Sequence, residues 1–129
     1  MKIKKKIILF LVSLLLTLLF LRISLSFFPS TNLTIGSYNI HHLYLGSFLI
    51  IIAVILLLFE IVNTIVVIVS GLSSALILDE LIYLIATDGS DVSYLSTVSL
   101  TGTLIVTFII LIMIGFLYYG KFVKKRNKK

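Results

Sequence analysis

The sequence predicts an all-α integral membrane protein, a bundle of four transmembrane helices with both termini in the cytoplasm. Apolar residues make up 60% of the 129 residues, charged residues only 12%, and the mean hydropathy is +1.23. A soluble domain of this size has too little interior to hide that much apolar surface. Ten of the eleven lysines and arginines lie at the two chain ends, which is typical of the cytoplasmic flanks of membrane spans.

Four apolar runs are long enough to be helices that cross the hydrocarbon. Crossing about 30 Å requires about 20 apolar residues at a rise of about 1.5 Å each. The first run opens after a lysine cluster and ends before Pro29, with Arg22 close enough to its end to extend outward to water. The predicted helices cover about 7–28, 43–61, 64–86 and 103–120.

The middle of the chain is predicted to fold back on itself. Residues 43–86 are almost continuously apolar, and a single helix of that length is about 66 Å long, twice the hydrocarbon thickness. Glu60, Asn63 and Thr64 interrupt the run and are suited to cap two helix ends in a tight turn. The turn therefore separates the second helix from the third.

The lysines and arginines predict the orientation, because short basic flanks stay in the cytoplasm. Both termini are basic, and the loops 29–42 and 87–102 contain no cation, so these loops face outward. The prediction is one transmembrane domain, 1–129, in the cell (plasma) membrane, with basic cytoplasmic tails at 1–6 and 121–129. An alternative treats the first segment as a signal peptide cleaved near Ser24–Ser26, which leaves three spans.

Composition also narrows the chemistry and the partners. The chain has no cysteine, so disulfides, thiolate metal sites and cysteine nucleophiles are excluded. The cations that give the net charge of +6 lie in the terminal clusters and not on a folded face. This distribution argues against binding of nucleic acid. The expected partners are the lipid bilayer and a further membrane subunit, either a second copy or another protein.

The candidate site consists of two pairs of ionisable residues, His41–His42 and Asp79–Glu80, in the outer half of the bundle. Ionisable residues inside a membrane are costly and face the protein interior or mark a functional path. If the second and third helices are antiparallel, His42 lies near the level of Asp79. Small residues let membrane helices approach closely, and the ones predicted to pack at this contact, with Ala53 opposite Gly71, are Gly46, Ala53, Gly71 and Ala75.

Two imidazoles and two carboxylates suit a divalent metal such as zinc, so His41, His42, Asp79 and Glu80 are the predicted ligands. Adjacent histidines do not share a helical face, so both bind one ion only if His41 precedes the helix. The predicted supporting residues are Tyr44, Tyr83, Asp88 and Asp91. Two alternatives remain open: a noncatalytic structural, accessory or holin-like protein in which these residues stabilise packing, and proton-coupled transport.

One resemblance bears on the two pairs. The segment His41-His42-Leu-Tyr44-Leu-Gly46, followed by Leu78-Asp79-Glu80, resembles a group of small prokaryotic integral membrane proteins with a His-His-x-Tyr-x-Gly segment and a later Asp-Glu pair. It covers about residues 40–90. The resemblance implies that the two pairs belong together, and it brings no assigned activity.

Overall fold

The structure, a computed structural model, describes residues 1–28, 34–35, 38–39, 41–88 and 91–126. Its helices are α1 (Ile3–Phe27), α2 (His42–Leu58), α3 (Thr64–Ala86), α4 (Asp91–Tyr94) and α5 (Thr97–Arg126). Two short strands, β1 (Thr34–Ile35) and β2 (Tyr38–Asn39), pair antiparallel where the sequence predicted a loop. The four predicted helices are confirmed as α1, α2, α3 and α5.

Three of these helices are long and apolar enough to cross a membrane. Within the described ranges they are α1, α3 and residues 97–124 of α5. The shorter apolar helix α2 has 17 residues and is therefore about 26 Å long, slightly less than the hydrocarbon thickness. Helix α5 begins at Thr97, six residues before its predicted start, so part of the predicted outer loop is helical.

The bundle is apolar outside and partly polar inside. Large side chains such as Leu16, Phe108 and Phe116 are 61%, 63% and 72% exposed, whereas Asp79 and Ser99 are completely buried. A soluble protein does not expose apolar surface on this scale, because water would have to solvate it. This distribution of side chains is compatible with a lipid environment.

Helix α3 is the central element, and α1 runs parallel to it. Ser13 of α1 donates a hydrogen bond to the Ile68 carbonyl, and further along both helices Arg22 of α1 bonds Asp79 of α3. Contacts that advance in the same direction on both helices require a parallel pair. The start of α1 therefore lies at the same end of the bundle as the start of α3.

Helices α2 and α5 run antiparallel to α3. Early in α2, the Leu43 amide contacts Glu80, while Gly46, one turn later, packs on Leu76, one turn earlier in α3. In the same way, Gly102 of α5 packs on Ile82 of α3, and the later α5 residues Val106 and Ile110 pack on a cluster that contains Ala75. The start of α1, the end of α5 and the α2–α3 turn consequently share one end of the bundle.

The α2–α3 turn is built as the sequence predicted, by residues that cap both helix ends. At the end of α2, the Glu60 amide bonds the Leu57 carbonyl and the Ile61 amide bonds the Leu56 carbonyl. These two bonds form a Schellman motif, which requires a left-handed residue, and Glu60 has φ 59°. At the start of α3, the Asn63 side chain accepts a hydrogen bond from the Val66 amide, 2.9 Å away.

The small residues lie at helix contacts, but Gly71 has a different neighbouring helix from the one predicted. Gly46 packs on α3, where an added Cβ would lie 2.8 Å from the Leu76 Cβ. Gly71, predicted to face Ala53 of α2, instead packs on α1, with its nearest atoms belonging to Phe10, Ser13 and Leu14. Ala75 joins a buried cluster with Leu14 and Leu78 that α1, α3 and α5 form together. Gly71 therefore allows the close contact between α1 and α3.

We expect Gly71→Ala to lower the thermal unfolding midpoint of the detergent-purified protein. A Cβ at this position would lie 2.5 Å from the Phe10 carbonyl oxygen, so α1 and α3 would have to separate. The matched control is Gly115→Ala in α5, where an added Cβ meets no atom within 4 Å. That variant gains up to about 1 kcal/mol of helix propensity, so its midpoint stays the same or rises. Equal midpoints for the two variants would contradict the close crossing.

Candidate functional site: a buried ion-pair cluster

Five ionisable side chains from three elements meet at one end of the bundle. We call them the ion-pair cluster: Arg22 of α1, His41 and His42 at the start of α2, and Asp79 and Glu80 of α3. All of them except His41 lie on apolar helices, and Asp79 and Glu80 are almost completely buried. Charged groups in such surroundings require partners, since an unpaired buried charge is strongly destabilising.

Arg22 and Asp79 form the most deeply buried ion pair. The Arg22 Nε lies 2.6 Å from Asp79 Oδ1, and the side chains are 14% and 0% exposed. The sequence predicted that Arg22 extends outward to water, but its guanidinium lies inside the bundle instead. A charge-assisted hydrogen bond of this length is strong in a low-dielectric interior, where water does not compete for either partner.

The remaining donors of Arg22 bind the elements on the other side of the bundle. Nη1 donates to the Tyr94 carbonyl at 3.0 Å, and Nη2 donates to the hydroxyls of Ser99 and Thr103 at 3.2 and 3.1 Å. The guanidinium carbon also lies 4.8 Å from the centre of the Tyr94 ring, which is a cation–π distance. One side chain thus connects α1 with α3, α4 and α5.

Glu80 provides the cap that the start of α2 does not have in its own sequence. His41, the N-cap residue, makes no side-chain capping bond, and the Glu80 Oε2 accepts the Leu43 amide at 2.6 Å. The first amides of a helix have no partner within the helix and carry a partial positive charge. A carboxylate from α3 therefore satisfies one of them and orients α2.

His41 and His42 both point toward α3 because His41 precedes the helix. Its extended backbone, with φ −66° and ψ 136°, turns its side chain away from the helical spacing of 100° per residue. The His41 Nδ1 bonds the Glu80 Oε1. From the sequence, the two adjacent histidines can reach one site only if His41 precedes the helix. This backbone geometry meets that condition.

His42 lies between the two carboxylates. Its Nδ1 is 3.4 Å from Glu80 Oε2, and its Nε2 is 3.4 Å from Asp79 Oδ2. Both the His42 Nε2 and the Asp79 Oδ2 are buried and, within the described residues, have no hydrogen-bond partner of adequate geometry. The distance suits a loose electrostatic contact, and the two atoms are the incompletely satisfied part of the cluster.

Followed from one contact to the next, the cluster alternates basic and acidic groups: Arg22, Asp79, His42, Glu80 and His41. Every carboxylate has a basic neighbour on each side, so no two acids are left facing each other without a basic group between them. The chain of contacts begins at the Arg22 side chain, which is 14% exposed, and ends at the His41 side chain, which is 30% exposed. Such alternation lowers the cost of burying charge.

The predicted supporting residues differ in their relation to the cluster. Tyr44 is 63% exposed and places its ring 6.3 Å from that of His41. Tyr83 is buried and packs edge-on against Tyr94, at 5.0 Å between ring centres. Asp88 is exposed after the end of α3, and the side chain of Asp91 lies outside the described residues.

The cluster does not have the arrangement of a preformed metal centre. In the part of the chain that the structure describes, no three His, Asp or Glu side chains converge as the ligands of one ion. The oxygens Asp79 Oδ1 and Glu80 Oε2 already accept hydrogen bonds from Arg22 and from the Leu43 amide. The prediction that a divalent ion binds here is not tested by this geometry and stays a prediction.

Sequence reasoning missed four residues of this site: Arg22, Tyr94, Ser99 and Thr103. A signal was present for Arg22, because a cation inside an apolar span calls for an anion elsewhere in the membrane, and Asp79 was available. The hydroxyls of Ser99 and Thr103 are four residues apart and so share a helical face. The sequence predicts a loop at Ser99 and a helix that begins only at Thr103, so their shared face is not apparent before the structure shows α5 starting at Thr97.

Comparisons with known proteins add no family. No protein-family model matches the chain, and no curated protein or solved structure is detectably similar to it. What the cluster does must therefore be argued from its own geometry.

We expect Arg22→Gln and Asp79→Asn each to lower the free energy of unfolding by about 3 kcal/mol or more, because each leaves the other charge buried without its partner. The double variant should recover most of that loss, since two neutral amides carry no uncompensated charge. Unfolding of the purified protein in mixed micelles measures all three values.

Lys121→Gln is the matched control, because it removes an exposed cation from the other end of the bundle and should leave the unfolding free energy unchanged. Additive losses in the double variant would show that the two side chains do not interact.

Proposed function

We propose that this chain is a noncatalytic multi-pass protein of the cell membrane, a structural or accessory subunit whose ion-pair cluster holds its helices in one arrangement. The observation that carries the proposal is the set of Arg22 contacts, in which one guanidinium bonds Asp79 on α3, the Tyr94 backbone and two hydroxyls of α5. In lipid, where apolar packing gives helices little preference for one another, such bonds select the partner helices.

The engagement of the acidic groups supports a structural role. A carboxylate that acts as a base or a metal ligand needs an oxygen free to meet its substrate or ion. Asp79 Oδ1 is bonded to Arg22, and both oxygens of Glu80 are bonded, one to His41 and one to the Leu43 amide. Three of the four carboxylate oxygens therefore already hold helices together.

The proposed orientation places both termini and the α2–α3 turn in the cytoplasm, with the ion-pair cluster in the outer half of the membrane. The parallel α1–α3 pair and the antiparallel α5 bring the two basic ends to the same side of the bundle. Basic segments next to spans remain cytoplasmic. Four crossings, with the short α2 as the second, are consistent with this placement.

We expect a cysteine at Leu95 to react with a membrane-impermeant maleimide on intact cells, and a cysteine at Ile61 to react only after permeabilisation. Leu95 lies in the segment between α4 and α5, Ile61 lies in the α2–α3 turn, and both side chains are more than 40% exposed. The natural chain has no cysteine, so the unmodified protein is the background control. Labelling of Ile61→Cys in intact cells would reverse the proposed orientation.

A divalent-metal site is the second candidate, and one contact favours it. The His42 Nε2 and the Asp79 Oδ2 are 3.4 Å apart, buried and without hydrogen-bond partners among the residues that the structure describes. Two ligands of a tetrahedral zinc ion, each about 2.0–2.1 Å from the metal, are separated by roughly 3.3 Å. An ion between these atoms would need further ligands from Glu80, from His41 or from water.

Elemental analysis and thermal unfolding of the detergent-purified protein distinguish the two candidates. The structural role predicts less than stoichiometric metal, and no change of the unfolding midpoint with chelator or with added zinc. A bound ion at 100 times its dissociation constant would stabilise the fold by about 2.7 kcal/mol. Near-stoichiometric metal that is lost in His42→Gln but retained in Lys121→Gln would overturn the structural proposal in favour of the metal site.

A further inference from the structure

The two basic ends of the chain lie at the same end of the bundle, opposite the ion-pair cluster. We call the described part of these two ends the basic rim; its lysines are Lys2, Lys4, Lys5 and Lys6 at the start of α1, and Lys121 and Lys124 near the end of α5. These two groups are more than 110 residues apart in the chain. The directions of α1, α3 and α5 bring them to one side.

The helix register places both groups just beyond the start of α3, beside the α2–α3 turn. Ser13 bonds Ile68, so Leu9, four residues before Ser13, is level with Thr64, the first residue of α3. Thr103 and Asp79 bind the same guanidinium, so Tyr118, 15 residues after Thr103, is level with Thr64, 15 residues before Asp79. Lys6 and Lys121 each lie three residues, about 4.5 Å, beyond this level and therefore at about the same depth.

The rest of the basic rim lies within reach of the same boundary. Lys2 is about 6 Å beyond Lys6, and Lys124 about 4.5 Å beyond Lys121, at 1.5 Å per helical residue. Both distances are shorter than the Debye length of about 8 Å at physiological ionic strength. Charges at this depth act on lipid headgroups without complete screening.

The lysines of the basic rim are available for an external anion. Five of the six are exposed and Lys6 is half-buried, and within the described ranges none of them has an ion-pair partner. The acidic side chain that the described chain places at this end is Glu60, in the α2–α3 turn. Charge complementarity therefore calls for an anion from outside the protein.

We propose that the basic rim binds anionic phospholipid headgroups, so that the protein collects these lipids around the cytoplasmic end of its bundle. The proposal rests on the membrane location given above, but not on the role of the ion-pair cluster. Lipid is favoured over a soluble polyanion because the rim lies at the ends of two apolar helices, α1 and α5, at the depth where headgroups are expected. One lysine near an anionic surface contributes about a fivefold preference, which corresponds to about 1 kcal/mol.

The first experiment uses purified full-length protein in nanodiscs that contain phosphatidylcholine and phosphatidylglycerol. Electron paramagnetic resonance of spin-labelled lipids measures how strongly each headgroup is retained at the protein surface. We expect phosphatidylglycerol to be retained about fivefold more than phosphatidylcholine, with the preference falling toward one at 1 M salt, where the Debye length is about 3 Å. Equal retention of the two lipids would overturn the proposal.

Acetylation of the reconstituted protein removes the charge of every lysine at this end of the bundle without changing its insertion, and Arg126 stays charged. All nine lysines of the chain lie in its first six or last nine residues, so the reagent leaves the ion-pair cluster unmodified. We expect acetylation to abolish the preference for phosphatidylglycerol. A preference that survives complete acetylation would contradict binding at the basic rim.

Variants separate the contributions of the two lysine groups to the lipid preference. Lys2, Lys4, Lys5 and Lys6 changed to Gln, or Lys121 and Lys124 changed to Gln, should each lower the preference, whereas arginine at all six positions should retain it. A loss caused by one group alone would overturn the proposal that both groups bind the lipid together.

Release of phosphatidylglycerol by a short RNA at equal charge concentration would instead identify a soluble polyanion as the ligand. Failure of the protein to enter nanodiscs would refute the membrane location itself.

Discussion

The ion pair between Arg22 and Asp79 is the constraint on which the arrangement of this bundle depends. Asp79 has no exposed surface, so its charge is tolerable only with a cation in contact. Arg22 satisfies it with one of its nitrogens and uses the other two on Tyr94, Ser99 and Thr103. The position of α1 on α3 and the position of α5 on both are thereby linked through a single side chain.

The adjacent carboxylate, Glu80, holds α2 against α3, as Asp79 holds α1 against α3. Successive residues on a helix point about 100° apart, so Asp79 and Glu80 face different neighbours from one turn of α3. Glu80 accepts the Leu43 amide and contacts His41, which holds the start of α2 against α3. Two consecutive acids on the central helix therefore position two different helices.

Close backbone contact complements these polar bonds at other levels of the bundle. Gly71 lets α3 approach the backbone of α1 near Phe10, and Gly46 lets α2 approach α3 near Leu76. In lipid, this kind of packing and the polar bonds are the main sources of helix association. The C-terminal part of α5, which carries Gly115 and Phe116, makes no such contact with the other described residues and is exposed on the bundle surface.

The sequence by itself determined the helical class, the four apolar helices and the turn between the second and third, because apolar length and capping residues are local properties. It also brought His42 near Asp79, since a tight turn makes the two helices antiparallel. Only the tertiary structure decided that Arg22 lies inside, that Gly71 packs on α1 and that the hydroxyls of Ser99 and Thr103 face Arg22. These outcomes depend on which face of one helix meets another, and in a chain that is apolar on nearly every face no local pattern specifies that choice.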